Sequence, residues 1–282
     1  MDLSLHLENT HVVVTGGAGH IGRNVVKGFL TAGARVSSLD IAYQEESEPK
    51  ANLLEIYADI ASETSLQTAW QKAIAHFGPV QTCVALGALD LSVLAHYEST
   101  ADLPLEQFRR TLEVNVLGTF LTARQWLRGL REHRQSQEES AFTPLSNASL
   151  IMIGSESGHW GERMNADYGT SKAAVQYGLL QSLRQDVPRV YLGARVNAIA
   201  PGPVNTPRFP KECQENPEQY YNDAQATVAM KRPVEMESVA RTCLFLSSDH
   251  WSRDVCGQII NVDSGKLGKV VWDRGECKNP YA

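Results

Sequence analysis

Short apolar segments alternate with longer amphipathic segments along most of the chain. The apolar segments are rich in β-branched residues and predict buried strands at about residues 11–15, 34–39, 54–57, 81–85, 149–153, 191–199 and 258–262. The longer segments predict helices at about residues 23–31, 62–77, 104–132, from 166 onward, and 236–246. Strands that alternate with helices of this length indicate an α/β fold, in which a doubly wound parallel sheet has helices on both faces.

Two stretches interrupt this alternation, and a third follows the last strand. Residues 133–147 are polar and predict an exposed surface insertion. Residues 203–232 form a long excursion rich in Pro, Glu, Gln and Tyr, and a segment of that length is often a lid or a binding loop. We therefore expect one domain over residues 1–265 with an appended substrate lid, followed by a tail or interface arm at 266–282.

The composition is that of a chain with a sizeable core, because 43% of its 282 residues are hydrophobic and 21% are charged. The net charge of −6 and the lack of a basic stretch argue against a nucleic-acid or membrane-surface binder. No apolar run approaches the roughly 20 residues of a membrane-spanning helix, and no signal peptide is recognisable. The five cysteines form no CxxC pair, and His6, His11 and His76 lack a ligand pattern, so we expect no metal site and a reducing, cytoplasmic location.

A glycine-rich turn joins the first predicted strand to the first predicted helix. Gly16, Gly19 and Gly22 lie where backbone N–H groups and a helix N-terminus can hold a pyrophosphate. Gly17, Gly19 and Gly22 also satisfy the spacing GxGxxG in a shifted frame. The position of this turn, directly after a strand and before a helix, favours dinucleotide binding over a simple tight turn.

Two acidic residues end predicted strands on the same side of the sheet. Asp40 follows the second strand, where a carboxylate can accept hydrogen bonds from the adenosine ribose and repel a 2′-phosphate. No Lys or Arg follows Asp40 until Lys50, so NAD is favoured and NADP is the alternative. Asp59, which ends the third strand, would either reach the adenine edge or cap a turn.

Tyr168 and Lys172 are four residues apart and therefore share one face of a predicted helix. A free phenol has a pKa near about 10, and a nearby ammonium lowers that pKa. The phenol can then exchange a proton with an alcohol or a carbonyl. Ser155 follows an apolar strand at the carboxyl edge of the sheet, where α/β folds place their sites, and Asn115 lies in a helical segment.

Taken together, these residues resemble the short-chain dehydrogenase/reductase family, in which Tyr-x-x-x-Lys members carry a Thr-Gly-x-x-x-Gly-x-Gly cofactor motif. The resemblance covers about residues 5–265 and rests on Thr15 to Gly22, Asp59, Asn115, Ser155, Tyr168 to Lys172, Pro201-Gly202 and Cys256 to Gly265. The tail looks most like fungal members, which suggests secondary metabolism. The family implies a single Rossmann-type domain that acts on a small alcohol or ketone and assembles as a homodimer or homotetramer.

The resemblance also implies a role for each matching residue. Tyr168 would be the general acid/base, Lys172 would lower its pKa and bind the nicotinamide ribose, and Ser155 would hydrogen-bond the substrate oxygen. Asn115 would hold a water that completes a proton relay to Lys172, and Ser157 is the substitute candidate for Ser155. The implied cofactor contacts are Gly16, Gly19, His20, Ile21, Gly22, Asp40, Asp59, Ile60, Gly87, Tyr168, Lys172, Pro201, Val204 and Thr206.

The chain departs from the family pattern after the fourth strand. Many members have Asn-Asn-Ala-Gly there, whereas this chain has Ala85-Leu86-Gly87-Ala88, which lacks the asparagine side chains. Five residues between Ser155 and Tyr168 would either form one wall of the substrate pocket or belong to an ordinary loop; they are Glu156, His159, Trp160, Glu162 and Met164.

The expected function is an NAD(P)-dependent oxidoreductase that interconverts a secondary alcohol and a ketone. The first alternative is an epimerase, a dehydratase or a cyclisation catalyst that uses the bound cofactor without net redox. The second alternative is a cofactor-sensing module without turnover, which would fit better if Tyr168 or Lys172 had been replaced.

Overall fold

Seven parallel strands form one sheet in the computed structural model, which describes residues 2–44, 50–137 and 142–281. The strands are β1 (His11–Thr15), β2 (Arg35–Asp40), β3 (Leu53–Tyr57), β4 (Thr82–Ala85), β5 (Ser149–Ile153), β6 (Arg195–Pro201) and β7 (Ile259–Val262). Their order is β3-β2-β1-β4-β5-β6-β7, so the direction of winding reverses between β1 and β4. In doubly wound sheets ligands bind in the crevice at this reversal, outside the carboxyl ends of the strands.

Helices cover both faces of the sheet, as the alternation predicts. They are α1 (His20–Thr31), α2 (Glu63–Phe77), α3 (Leu105–Leu112), α4 (Gly118–Gln135), α5 (Ser157–Trp160), α6 (Ala166–Ala173), α7 (Leu180–Val190), α8 (Phe209–Glu215), α9 (Pro217–Ala224), α10 (Met236–Ser247) and α11 (Asp249–Ser252). One apolar core joins the sheet to α2, α4 and α7 through side chains such as Trp70 and Trp126. A second core joins the other face to α1 and α10 through side chains such as Phe29 and Leu246. The doubly wound α/β prediction is therefore confirmed.

Two π-helical turns lie within the long helices. Glu113–Leu117 connects α3 to α4, and Ala174–Leu179 connects α6 to α7. Each pair of helices is continuous through its π turn, so the helix predicted from residue 104 is one helix with an extra residue in one turn. Such turns often occur at functional sites, and both of these lie next to the carboxyl edge of the sheet.

Some predicted boundaries differ from the structure. The strand predicted at 191–199 begins only at Arg195, because α7 continues to Val190 and Gly193 then turns the chain with a φ of +83°. The first helix begins at His20 instead of residue 23, since the glycine turn leads directly into it. No helix of the described residues is long and apolar enough to cross a membrane.

The predicted surface insertion at 133–147 lies only partly within the described residues, which omit 138–141. Its first residues complete α4, and Leu145 packs against the first apolar core. Asn147 is buried and its Nδ2 donates to the backbone oxygen of His6 at 2.7 Å and to Thr10 Oγ1 at 3.0 Å. The carboxyl end of this stretch is thus part of the packed structure, because the side chain of Asn147 fastens the N-terminal segment.

The predicted lid and the C-terminal tail pack against each other. Residues 203–232 carry α8 and α9, whose Phe209 and Tyr220 form a small apolar cluster with Tyr281 of the tail. The backbone N–H of Leu267 donates to the oxygen of Thr227 at 2.8 Å. The tail therefore runs along the lid in the same chain, and its role as an interface arm stays a prediction.

The loops after β1 and β4 are in direct contact at the point where the winding reverses. Gly16 has a φ of +71°, and a Cβ added there would lie 2.7 Å from Cα of Gly87. Thr15 Oγ1 accepts hydrogen bonds from the N–H groups of Leu86 and Gly87, each at 3.2 Å. Only a residue without a side chain fits at position 16, and this contact sets the shape of the crevice.

We expect Gly16→Ala to destabilise the protein by about 2 kcal/mol or more, because alanine is strained at a φ of +71° and its Cβ would clash with Gly87. Gly19→Ala is the matched control, since Gly19 has a φ of −67° and its nearest neighbouring atom would be 3.4 Å away. Urea unfolding of both variants measures the difference. Equal losses of stability would show that the contact between Gly16 and Gly87 does not constrain the fold.

His11 is a buried histidine that the fold holds in its neutral form. Its Nδ1 contacts the oxygen of Gly78 at 2.8 Å and its Nε2 contacts Ser37 Oγ at 2.9 Å. Burial lowers the pKa of His11 to about 4, against a small opposing effect of the Gly78 hydrogen bond. At pH values between that pKa and the ordinary histidine pKa of about 6.5, the unfolded chain binds a proton that the folded chain does not.

The free energy of unfolding should therefore fall as the pH drops from about 6.5 towards 4. A wild-type protein should lose about 2 kcal/mol more than a His11→Gln variant between about pH 7.5 and pH 5, because the variant lacks this proton. Urea unfolding at the two pH values measures both losses. Equal losses of unfolding free energy in the two proteins would show that the fold does not hold His11 in its neutral form.

Candidate active site

The N-terminus of α1 offers free backbone donors at the crevice. The first hydrogen bond of this helix runs from the N–H of Arg23 to the oxygen of Gly19 at 2.9 Å. The N–H groups of His20, Ile21 and Gly22 come before this bond and therefore have no partner within the helix. Gly19 provides no side-chain cap, and the first turn has no acidic residue. These donors and the helix dipole fit a pyrophosphate, as the sequence predicts for Gly19 to Gly22.

The spacing of the glycines differs from the expected motif. Thr-Gly-x-x-x-Gly-x-Gly requires glycine at position 20, where this chain has His20, the first residue of α1. The glycines that form the turn are three residues apart, at Gly16, Gly19 and Gly22. Gly22 is the most crowded of them, because a Cβ there would lie 2.1 Å from the backbone oxygen of Gly16. The prediction of a TGxxxGxG motif is therefore wrong in its spacing.

Asp40 lies at the end of β2 beside the glycine turn. Its Oδ2 accepts from the N–H of Ala18 at 3.0 Å, and its Oδ1 accepts from the N–H of Ala42 at 2.9 Å. A carboxylate can accept about four hydrogen bonds, so Asp40 can still accept hydrogen bonds from the two hydroxyl groups of a ribose. The same rim carries Tyr43, whose hydroxyl contacts Ser38 Oγ at 2.8 Å; no sequence pattern identified this residue.

Asp59 and Ile60 form the next part of this edge. Asp59 Oδ1 accepts from the N–H of Ala61 at 2.9 Å, which is the turn-capping role that the sequence left open. Ile60 is buried, and its Cδ1 would lie 3.1 Å from a Cβ at Gly87 and 2.9 Å from a Cβ at Gly118. Ile60 thus packs beneath the loop after β4, and direct cofactor contacts of both residues stay predictions.

Three of the four candidate catalytic residues form one buried cluster. The hydroxyl of Ser155, just after β5, lies beside the phenol of Tyr168 on α6 and acts to lower the pKa of that phenol. Lys172 Nζ lies 5.6 Å from the centre of the Tyr168 ring and donates to the oxygen of Ile153 at 3.0 Å. The helical spacing therefore brings Tyr168 and Lys172 to one face, opposite the end of β5.

Burial shifts both titratable groups of this cluster towards their neutral forms. It raises the pKa of the Tyr168 phenol above its ordinary value, against the lowering effect of the Ser155 hydrogen bond. It also lowers the pKa of Lys172 to about 8. The expectation that the Lys172 ammonium lowers the phenol pKa is not met in this state, because removal from water disfavours charge on both side chains. Tyr168 is held as a proton donor.

Asn115 lies in the first π turn and positions the loop after β4. Its Oδ1 accepts from the N–H of Leu89 at 2.7 Å, and its Nδ2 donates to the oxygen of Leu89 at 2.9 Å and to Ser171 Oγ at 3.0 Å. The segment that lacks the family's asparagines is thus held by Thr15 at one end and Asn115 at the other. The water expected at Asn115 stays a prediction.

The carboxyl end of β6 forms the far side of the crevice. The oxygen of Pro201 accepts from the N–H of Glu156 at 2.9 Å, which ties β6 to the segment after Ser155. Val204 pairs with Val234, and the N–H of Thr206 donates to the oxygen of Val204 at 2.7 Å. These residues lie at the start of the segment 203–232 predicted to be a lid, and their contact with nicotinamide stays a prediction.

Gln176 is a supporting residue that the sequence reasoning missed. Its Oε1 accepts from the N–H of Ser155 at 2.8 Å. Its side chain occupies the space beside Gly154 and Gly158, where an added Cβ would lie 2.3 and 2.2 Å from the same oxygen. The glycines on either side of Ser155 were the available signal, but the π turn that aims Gln176 at them could not be seen from helical spacing.

Polar side chains line the edge of the cluster that faces the lid. Lys266 Nζ lies 3.2 Å from an oxygen of Glu156, and both side chains are largely buried. Burial raises the pKa of Glu156 to about 7 and that of Asp223, on α9, to about 6, and in both cases Lys266 opposes the effect. Ser157 Oγ donates to Glu162 at 2.6 Å. Glu156 and Glu162 thus each have a specific side-chain partner, Lys266 and Ser157, which residues of an ordinary loop would not need.

The other loop residues have different surroundings. His159 contacts the hydroxyl of Tyr177 and lies 2.9 Å from Asn261 Oδ1, while Trp160 packs over Gly268 of the tail and Met164 is exposed. Among the described residues, one group of side chains has potential metal-ligating atoms that all lie within 4.8 Å of one another. It consists of Asp2, His6 and His250, which are all exposed. That group adjoins the amino end of β5, away from this cluster.

Known proteins resemble this chain over almost its full length. A family model described as enoyl-(acyl carrier protein) reductase matches residues 16–266. The short-chain dehydrogenase fogB of Aspergillus ruber is 28% identical over 266 residues, which are 89% of this chain and 94% of that protein. The L-fucose dehydrogenase of Mus musculus is 30% identical over 253 residues, 84% of this chain and 82% of the relative.

The crystal structure of gox2181 has the same fold, with a TM-score of 0.77 and 26% identity over 93% of this chain and 96% of that one. Relatives come from bacteria and a mammal as well as from a fungus, so a special likeness to fungal members is not supported. The matched family model covers most of the chain, and the crevice has the serine, tyrosine and lysine that the sequence pattern singles out. The chain belongs to the short-chain dehydrogenase/reductase family.

Proposed function

We propose that this protein interconverts a secondary alcohol and a ketone by hydride transfer with NAD(H). The observation that carries the proposal is the buried cluster of Ser155, Tyr168 and Lys172, which lies at the carboxyl end of β5 in the same crevice as the free N-terminus of α1. The glycine turn would hold the pyrophosphate and Asp40 the adenosine ribose. When bound, the cofactor accepts or supplies the hydride at its nicotinamide ring.

The two hydroxyl groups would recognise the reacting oxygen. Ser155 and Tyr168 lie beside each other, so an alcohol or carbonyl oxygen that reaches this point can contact both hydroxyl groups. Tyr168, held neutral by burial, donates a proton to a carbonyl oxygen in the reducing direction. Lys172, fixed by the oxygen of Ile153, would position the nicotinamide ribose, and the lid and tail would exclude water.

The substrate class follows from the polar edge of the crevice. Glu156, Asp223 and Lys266 would favour a substrate with several hydroxyl groups over a purely apolar one. The mouse relative is named for a sugar, which agrees with this chemistry. We take cyclohexanol, trans-cyclohexane-1,2-diol and L-fucose as a first panel.

A redox-neutral reaction is the second candidate. The raised pKa of Glu156 provides an additional acid or base close to Tyr168, as an epimerase or a dehydratase would need. Lys266 pairs with that carboxyl group and limits its freedom, which favours the simple oxidoreductase. Assembly into a dimer or tetramer would use the exposed Phe120 and Tyr177 of the long helices; this and the cytoplasmic location stay predictions.

Tyr168→Phe should lower turnover by about 10²- to 10⁴-fold, since it removes the group that exchanges a proton with the substrate. The affinity for NADH should change little because the glycine turn and Asp40 are intact. Tyr177→Phe, on the exposed side of the same continuous helix, is the control and should keep its turnover. Turnover of the Tyr168→Phe variant at the wild-type rate would rule out the assigned role.

NADH should bind at least about tenfold more tightly than NADPH, because the carboxylate of Asp40 would repel a 2′-phosphate. Asp40→Asn should reduce this ratio, whereas Asp59→Asn should leave the ratio unchanged. Quenching of tryptophan fluorescence during titration with each cofactor gives the three ratios. A wild-type preference for NADPH would show that Asp40 does not select the cofactor.

A further inference from the structure

We propose that Glu162 exchanges the proton of the reaction with Tyr168 through the hydroxyl groups of Ser155 and Ser157. The inference rests on the proposed oxidoreductase function and adds two positioning residues to it. Ser157 and Glu162 act through Ser155 and Tyr168, and neither needs to touch the substrate.

A hydrogen-bonded chain runs from Ser155 through Ser157 to Glu162 and begins beside Tyr168. The hydroxyl of Ser155 lies beside the phenol of Tyr168 and acts to lower the pKa of that phenol. Ser155 Oγ donates to Ser157 Oγ at 3.3 Å, and Ser157 Oγ donates to Glu162 Oε2 at 2.6 Å. Each hydroxyl can both donate and accept, whereas an ionised carboxylate only accepts, so the chain has a defined end at Glu162.

The local backbone brings Glu162 back to this chain. Ser157 begins the short helix α5, and Gly161 then reverses the path with a φ of +79°. Glu162 passes close to α6 because position 169 is a glycine; a Cβ at Gly169 would lie 3.0 Å from the nitrogen of Glu162. The contact between Ser157 and Glu162 thus depends on two glycines placed around it.

The chain leads from the buried cluster to the surface. Ser155 and Ser157 are 8% and 4% exposed, whereas Glu162 is only half-buried. Glu162 is therefore the first member that can exchange a proton with water.

A relay of this kind suits a tyrosine that burial keeps neutral. In the oxidising direction, the alcohol carbon gives its hydride to NAD⁺ and the alcohol oxygen gives its proton to the oxygen of Tyr168. The phenol proton moves to Ser155, the Ser155 proton to Ser157, and the Ser157 proton to the carboxylate of Glu162, which then releases it to water. Alcohol and NAD⁺ become ketone, NADH and one proton, and no free phenolate is required.

Several charged groups face this chain and would also affect a pH profile. Glu156, Glu162 and Asp90 act on Tyr168, and Asp223 and Lys266 approach from the lid and the tail. Glu156 is the competing carboxyl group, but its partner is Lys266 and it makes no hydrogen bond to the serine hydroxyls. The route through Lys172 is less direct, because its Nζ donates to the oxygen of Ile153.

The test measures kcat for the panel alcohol that the wild-type protein oxidises fastest with NAD⁺, with and without sodium formate. Glu162→Ala and Ser157→Ala should each lower kcat by about tenfold or more. Formate should restore kcat in Glu162→Ala, since a small acid can take the place of the lost carboxylate. Formate should not restore kcat in Ser157→Ala, because the middle link of the chain is missing.

Two further variants separate proton transfer from structure. Glu162→Gln keeps an acceptor for the Ser157 hydroxyl but cannot take up a proton, so kcat should fall as in Glu162→Ala while the circular dichroism spectrum is unchanged. Glu156→Gln, which removes the neighbouring carboxyl group, should show no response to formate.

Any of four outcomes would overturn the relay. Wild-type kcat in Glu162→Gln would show that the carboxylate takes no proton, and equal rescue of Ser157→Ala and Glu162→Ala would show that formate acts on Tyr168 directly. A wild-type protein that oxidises none of the panel alcohols would overturn the proposed function, and the relay with it. Normal wild-type turnover with unaffected variants overturns the relay alone.

Discussion

The backbone contact between Gly16 and Gly87 is the constraint on which the crevice depends. It joins the loops that follow β1 and β4, at the point where the direction of winding reverses, and it needs a glycine with a positive φ on one side. Thr15 binds the loop after β4 from one end, Asn115 binds it from the other, and Ile60 supports it from below. The floor of the crevice is therefore held by side chains from three separate segments, although it lacks the asparagines common in the family.

Burial decides the chemistry of the site above that floor. Tyr168 and Lys172 are both removed from water, and desolvation pushes each towards its neutral form. The phenol then depends on neighbouring hydroxyl groups to move a proton, and Ser155 lies beside it. The chain of hydroxyl groups beyond Ser155 extends this dependence to Glu162, at a part of the crevice that contacts solvent. The tail adds Lys266, which moderates the acidic groups on the same edge.

The features that sequence predicted well are those with local causes. The β-branched strand before Gly16, the turn into α1 and the spacing of Tyr168 and Lys172 each depend on a few neighbouring residues, and they lie where the pattern places them. The features that were missed depend on tertiary packing. The π turn that directs Gln176 towards Ser155, the return of Glu162 to Ser157 and the pairing of Lys266 with Glu156 join residues whose proximity no periodicity reveals. The direction of the Tyr168 pKa shift was wrong for the same reason, because burial is a property of the folded chain.

Transfer of deuterium tests the central claim, that this crevice carries out net hydride transfer, most directly. A panel alcohol labelled with deuterium on its hydroxyl-bearing carbon is incubated with the protein and NAD⁺, and the products are examined by mass spectrometry. Net hydride transfer would place one deuterium in the NADH formed and give a matching amount of ketone. Recovery of rearranged or epimerised product with the label back on carbon, and no accumulation of NADH, would contradict it in favour of redox-neutral chemistry.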